Sequence, residues 1–339
     1  DMPSKPFVLS AAFELMTRNQ NLHARTKAYA RDYSWKSWWC ILSTAFFLAV
    51  AFTGTFPIFP TALRVAFSGV AGLLIVRLFV IYHDQQHRAI LPKSRLAAIL
   101  MRGVGICIMC PSANWRNSHD YHHAHNSKLR TANIGSFPIM TREQYRRTPA
   151  GERFLYLFMR HPLTIAFGYV TVFIFGMVIL PFFKSPRKNI ESIPALALHA
   201  SIAVWLTLHF GWSGLVLTML LPFLVAGGLG AYLFYAQHNF RGVILKDKEG
   251  WTYEGAALES SSFLKTNALM AWFTANIGYH HIHHINHRVP FYRLPELYRD
   301  IPEFRQARTT SLHPLEILHC LRLKVWCVQT QRMSGVRGL

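Results

Sequence analysis

The chain has 339 residues, and its 36 Lys and Arg against 16 Asp and Glu give a formal charge of +20, yet only 15% of positions are charged and 51% are apolar. Soluble domains run nearer ~25% charged, and a chain with 14% aromatic residues buries too much surface to persist as a disordered polycation. Five cysteines without regular spacing exclude a disulfide framework and imply reduced thiols, with Cys107 and Cys110 expected to be buried.

Residues 1–37 are polar and of mixed charge, with no basic-then-apolar run closed by a small-residue cleavage site, so no secretory signal is expected in them. Apolar stretches follow at 38–60 and 62–82, each long enough at ~1.5 Å per residue to cross ~30 Å of hydrocarbon. Their connection, 56–61, carries two prolines and no charge, which suits a tight hairpin. Segment 91–110 mixes Arg95 and Arg102 with Leu, Ile and Met, the pattern of an interfacial helix. The stretch 111–161 is polar and basic. Another apolar run covers 163–183, then come Lys184, Arg187 and Lys188, two more apolar segments at 193–210 and 214–236, and a mostly polar remainder.

Histidine is the unusual residue: there are 18, more than the acids, and twelve fall in four short clusters. These are His83 and His87; His119, His122, His123 and His125; His238; and His280, His281, His283, His284 and His287. Imidazole is the commonest protein ligand for transition metals. His83 and His87 stand at i and i+4, one face of a helix. His119, His122 and His123 form H-x-x-H-H, as do His280, His283 and His284, so each triplet lies on one helical stripe and can serve two adjacent ions. Two triplets and a pair give eight nitrogens, more than one tetrahedral zinc needs, and suit two first-row ions with positions left open. Asp84 and Asp120 each follow the first histidine of a cluster, where a carboxylate can accept the remaining ring N–H.

Clusters that share one site must lie on one side of the bilayer, and three crossings between His123 and His238 would separate them. Segment 193–210 is the shortest and holds His199 and His209, so it is expected to be interfacial or re-entrant, with a hinge at 211–214. The expectation is an all-α integral membrane protein with four transmembrane helices in two hairpins. It divides into a cytoplasmic segment 1–37, a hairpin 38–82, a cytoplasmic region 83–162, a second hairpin 163–236, and a cytoplasmic cap 237–339. Arg18, Arg25, Lys27, Arg31, Lys36 and the cations between Arg88 and Arg160 put the clusters and both termini in the cytoplasm by the positive-inside rule, leaving Lys184, Arg187 and Lys188 outside.

With HDQQH at 83–87, HDYHH at 119–123 and HHIHH at 280–284, the chain resembles the membrane fatty-acid desaturases of the acyl-lipid and omega-6 type, whose three histidine boxes have these forms in this order. YAQHNF at 235–240 resembles the segment that supplies one further histidine, and the run from 280 to 297 is similar to the region following the third box. The resemblance implies a di-iron centre on His83, His87, His119, His122, His123, His238, His280, His283 and His284, with zinc substituting for iron in recombinant protein and O2 as co-substrate. Phe234 stands where the acyl-CoA branch carries an Asn one turn before the extra histidine. His125, His281 and His287 are surplus to the boxes and are expected around the ligands or at the surface.

The implied reaction is O2-dependent insertion of a C=C bond into a lipid-linked or thioester-linked acyl chain. Hydroxylases and carotenoid ketolases share the same boxes and form the alternative. No G-x-G-x-x-G segment opening a helix and no haem-domain signature is present, so the two electrons must come from a separate ferredoxin or cytochrome. The charge suits such a donor or anionic membrane lipid. It does not suit nucleic acid, because no basic stripe with stacking aromatics stands apart from the apolar segments. A metal transporter would line its path with ionisable residues, and 62–82 and 163–183 hold almost none.

Overall fold

The computed structural model describes residues 22–129 and 137–338; Arg18 and the rest of 1–21 lie outside the described residues. The first two apolar stretches become helices α1 (Ser34–Thr53) and α2 (Thr61–Gln86), with Pro60 at the N-cap of α2. α1 turns Trp39, Leu42, Phe46 and Val50 outward, the behaviour of a helix whose solvent is hydrocarbon. α3 (Arg95–Cys107) is amphipathic, capped by Ser94, and exposes Leu96, Ile99 and Leu100. The chain then bends by 92° into α4 (Ser112–Ala124), which carries the second box. A further amphipathic helix, α5 (Ala150–Met159), turns Phe154, Leu155 and Phe158 outward.

Among the described residues, three helices are long and apolar enough to cross a membrane: α1, α2 and the 45-residue run Ser192–Ala236. That run is not straight. It comprises α7 (Ser192–Leu215), a π-helical turn and α8 (Leu221–Ala236), and Gly211 breaks it with φ 64° and ψ −167°, a conformation that suits a residue without Cβ. His199 and Phe223 would lie ~36 Å apart on a straight helix, yet their ring centroids are 4.9 Å apart. The chain therefore folds back at Gly211, and four antiparallel rods run between the histidine end and the opposite end. At the opposite end the two tips meet. Phe56 packs edge-on against Phe210, and Arg64 donates to the carbonyls of Thr55 (2.8 Å) and Ser213 (3.3 Å).

This placement corrects the expected second hairpin. The segment expected to cross, 163–183, forms a short turn at Pro162–Ala166 and helix α6 (Tyr169–Lys184), wound as a π-helix over Tyr169–Ile179. It begins at the histidine end, where Arg160 donates to Asn239 Oδ1 at 2.6 Å, and it returns there. Asn114 donates to the Met177 carbonyl at 2.6 Å, Ser192 to that of Val178 at 3.0 Å, and Lys188 lines one cavity with Gln85, Arg88 and Arg116. Segment 193–210, expected to be interfacial or re-entrant, instead runs the full depth of the bundle. His199 is tolerated at that depth because it is satisfied internally, between the Tyr169 hydroxyl and the Cys107 carbonyl, both at 2.8 Å.

The cap is mostly helical, with α9 (Tyr253–Glu259), α10 (His280–Ile285) and α11 (Pro314–Arg322). It departs from all-α in two short ribbons: β1 (Phe263–Lys265) pairs in parallel with β2 (Thr309–Ser311), and β3 (Val325–Cys327) antiparallel with β4 (Arg332–Ser334). The residues before α1 clamp onto this cap, Arg25 on Glu303 at 2.5 Å, Tyr29 on Asp300 and Thr26 beneath Asn286. All five cysteines are free, and Cys107 is exposed where burial is expected.

Candidate metal centre

α2 delivers His83 in its last turn and ends at His87; α4 delivers His119, His122 and His123; α8 runs out into His238; and α10 delivers His280, His283 and His284. All nine rings are buried. The nitrogens fall into two groups, His83, His87, His119, His123 and His283 in one and His122, His238, His280 and His284 in the other, with the ligand atoms of each group within 4.8 Å of one another. In the second group the Nε2 atoms close a ring, His122 to His238 at 3.1 Å, His238 to His280 at 2.9 Å, His280 to His284 at 3.1 Å and His284 to His122 at 3.2 Å. In the first, His119 Nε2 lies 2.9 Å from that of His83 and 3.0 Å from that of His123, which lies 3.1 Å from that of His283.

A ring nitrogen carries either a hydrogen or a lone pair. Successive contacts around a ring of nitrogens cannot therefore all be good hydrogen bonds. Two nitrogens each ~2.1 Å from one ion at ~90° stand ~3.0 Å apart, so these spacings match what two bound ions would require. The surroundings of the rings agree. Burial, reinforced by neighbouring imidazoles, holds His87, His119, His122, His123, His280, His283 and His284 well below the usual histidine range, and burial alone brings His238 to about 4. Neutral imidazole is the form that binds metal. The residues present thus fit two first-row ions.

Outer contacts orient some of the rings. His83 Nδ1 donates to Asp84 Oδ1 at 3.1 Å, while Asp84 Oδ2 accepts the Phe291 backbone N–H at 2.7 Å. His238 Nδ1 faces the Ser260 carbonyl at 3.1 Å. Asp120 does not match the expectation set by its sequence position: it is exposed, on the side of α4 away from the rings. His125 stacks on Tyr121 at 4.1 Å and turns from the centre. His281 is buried among Phe263, Tyr298 and Phe304 on the far side of α10. Of the surplus histidines only His287 reaches the ligands, its ring 4.7 Å from that of His87.

Trp115 is a neighbour that ligand spacing alone does not reveal. It stacks on His119 at 4.3 Å and is 2% exposed; its place one turn before His119 on α4 is the signal. Phe234 packs against Trp115 and Phe79, so the position that carries Asn in the acyl-CoA branch is here an apolar wall. Beyond Phe79 lies a narrow apolar cavity lined by Ile75, Ile108, Tyr169, Phe173 and Phe223.

The Fatty acid desaturase family matches residues 59–315. Among curated proteins, a fatty acid desaturase of Bacillus subtilis is 29% identical over 280 residues, 82% of this chain and 78% of the relative. An sn-1 oleoyl-lipid 12-desaturase of Synechocystis is 23% identical over 76% of this chain and 74% of its own length. An sn-1 acyl-lipid omega-3 desaturase (ferredoxin) of Nostoc is 24% identical over 66% and 63%. Since the match runs through every one of the gathered histidines, the chain belongs to the fatty acid desaturase family and is a membrane-bound oxidoreductase.

Proposed function

We propose that the protein introduces a C=C bond into the acyl chain of a membrane lipid, with two iron ions held by the five-histidine and four-histidine groups. The observation that carries this reading is the division of nine buried nitrogens into two adjacent sets. Two such ions supply O2 chemistry: with two external electrons and two protons, O2 is reduced to two waters as adjacent methylenes lose two hydrogens.

The side chains supply binding, orientation and dryness. His83 is held in one tautomer by Asp84, and His238 by the Ser260 carbonyl. Phe79, Trp115 and Phe234 seal the apolar side of the rings against water, and the Ile and Phe side chains beyond them give an apolar surface that suits contact with methylenes. An acyl-lipid substrate agrees with the names of the Synechocystis and Nostoc relatives.

We place the histidine end in the cytoplasm and α1, α2, α7 and α8 across the membrane. Lys184, Arg187 and Lys188 precede α7, and Lys188 lies beside Arg88 and Arg116, so the cations that the sequence leaves outside join the basic histidine end and support this orientation. A basic cytoplasmic face suits an acidic electron donor, and the name of the Nostoc relative carries ferredoxin. The test is mass spectrometry of lipids from a host expressing the chain, alongside iron analysis of the purified protein. New C=C bonds and close to two ions per chain are expected. Hydroxylated or keto products, or one ion at saturation, would overturn the reading.

A further inference from the structure

A second cavity, of about 620 Å3, opens at the histidine end between α3, the start of α4 and the residues leading into α7. The mechanism above does not use it. Arg88, Arg102, Arg116 and Lys188 face it, against one carboxylate, Glu191. Glu191 is 7% exposed; its Oε1 accepts from Arg102, while Oε2 is buried without a partner, as is Gln86 Oε1. Ser112 and Ala113, the first residues of α4, also line it, and the N-cap Pro111 offers their N–H groups no side-chain acceptor. An uncapped helix start with cations around it favours an anion. The rim is apolar: Ile190 lines the cavity and is 55% exposed, and α3, which contributes Ala98 and Arg102, turns Ile99 outward at 69%.

A basic cavity with spare acceptors and an apolar rim fits an amphiphile. We infer that it binds the headgroup of an anionic phosphoglycerol lipid, with Arg88, Arg116 and Lys188 on the phosphate and the glycerol hydroxyls donating to Glu191 and Gln86. Choline has no N–H or O–H for those acceptors, and an ethanolamine ammonium would lie among four cations. The inference rests on the membrane reading of α3 and not on the reaction.

The probe is the detergent-purified protein with an equimolar mixture of phosphatidylglycerol, phosphatidylethanolamine and phosphatidylcholine of matched chains, read by native mass spectrometry. One retained phosphatidylglycerol per chain is expected. Arg116→Gln/Lys188→Gln should weaken that retention about tenfold to thirtyfold, at ~1 kcal/mol per cation near a lipid surface, and Arg146→Gln/Arg147→Gln should not. Both altered side chains of the first variant are exposed; metal content and elution volume verify its fold, and Lys188→Gln alone should give a partial loss. Equal retention of the three lipids, an unchanged double variant, or equal protection of the protein by inorganic phosphate alone would overturn the inference. Unselective retention by a protein that still desaturates would overturn it and leave the proposed reaction standing, whereas selective retention without desaturation would do the reverse.

Discussion

Gly227 is where α8 meets the start of α6 with nothing between the backbones. A Cβ there would lie 2.3 Å from the Tyr169 nitrogen and 2.5 Å from its Cα, where ordinary contact begins at 3.4 Å, so the two backbones must part by roughly an ångström. The approach is reciprocal, because a Cβ on Gly168 would lie 2.3 Å from the Gly227 carbonyl oxygen. No side chain can rotate away to relieve either contact, so Gly227→Ala should incur an overpacking cost of about 1–3 kcal/mol, less a helix-propensity gain of up to about 1 kcal/mol. Gly69→Ala on α2 meets nothing within 4 Å and should keep that gain in full. The two variants should therefore differ by about 1–3 kcal/mol, or several degrees in Tm measured in the same detergent. Tyr169 and Phe173 line the apolar cavity, so Gly227→Ala should also slow turnover. A Gly227→Ala protein that melts with or above Gly69→Ala would refute the backbone approach between α8 and the start of α6.

His238→Ala should reduce metal content from two ions toward one per chain and abolish turnover, while His199→Ala, which breaks only the Tyr169 and Cys107 contacts, should keep both ions and lose about 1–3 kcal/mol of stability; equal metal loss in both would disprove ligation by His238. Asp84→Asn should weaken metal retention against a chelator by about 10-fold to 100-fold, and unchanged retention would show that the Asp84 contact does not tune His83. Cysteines placed at Lys188 and Lys246 should label from one side of the membrane and one at Ser213 from the other; Lys188 labelling with Ser213 would restore α6 as a crossing. Burial holds His238 and His287 at about 4 and His281 at about 3 in the fold, against 6.5 when unfolded, so the metal-free protein should have its full histidine contribution above pH 6.5 and lose it as pH falls through 4. A denaturation midpoint that stays flat between pH 7 and 4 would contradict that.

Metal-box spacing is local, and local spacing survives folding unchanged. His119, His122 and His123 fall on one stripe of α4 because i, i+3 and i+4 do so on any helix, and α10 repeats the pattern, so the histidines that gather into the two groups could be read from the chain. How the nine divide between two ions is not local: His123 joins His283 while its neighbour His122 joins His284, a partition set by the packing of α4 against α10. Asp84 and Asp120 hold equivalent places after a histidine, and only helix orientation separates a carboxylate on a ring N–H from one in solvent. The exchange between 163–183 and 193–210 has the same origin. Both are apolar and of similar length, and hydropathy does not record that Arg160 and Lys188 are tied to one end while Gly211 turns at the other.

The distribution of each ligand set along the chain fixes an order of biogenesis. Both sets include residues of α10, His283 in one and His280 and His284 in the other. Neither is complete until the ribosome has passed residue 284, long after α1 and α2 have emerged. The early helices must therefore be inserted while His83, His119 and their neighbours are still without their last partners, and with two ions bound as proposed, loading would finish only when the cap docks. Any damage that keeps α10 from closing, even far from a ligand, would then yield an inserted protein deficient in both ions at once, not one lacking a single ion.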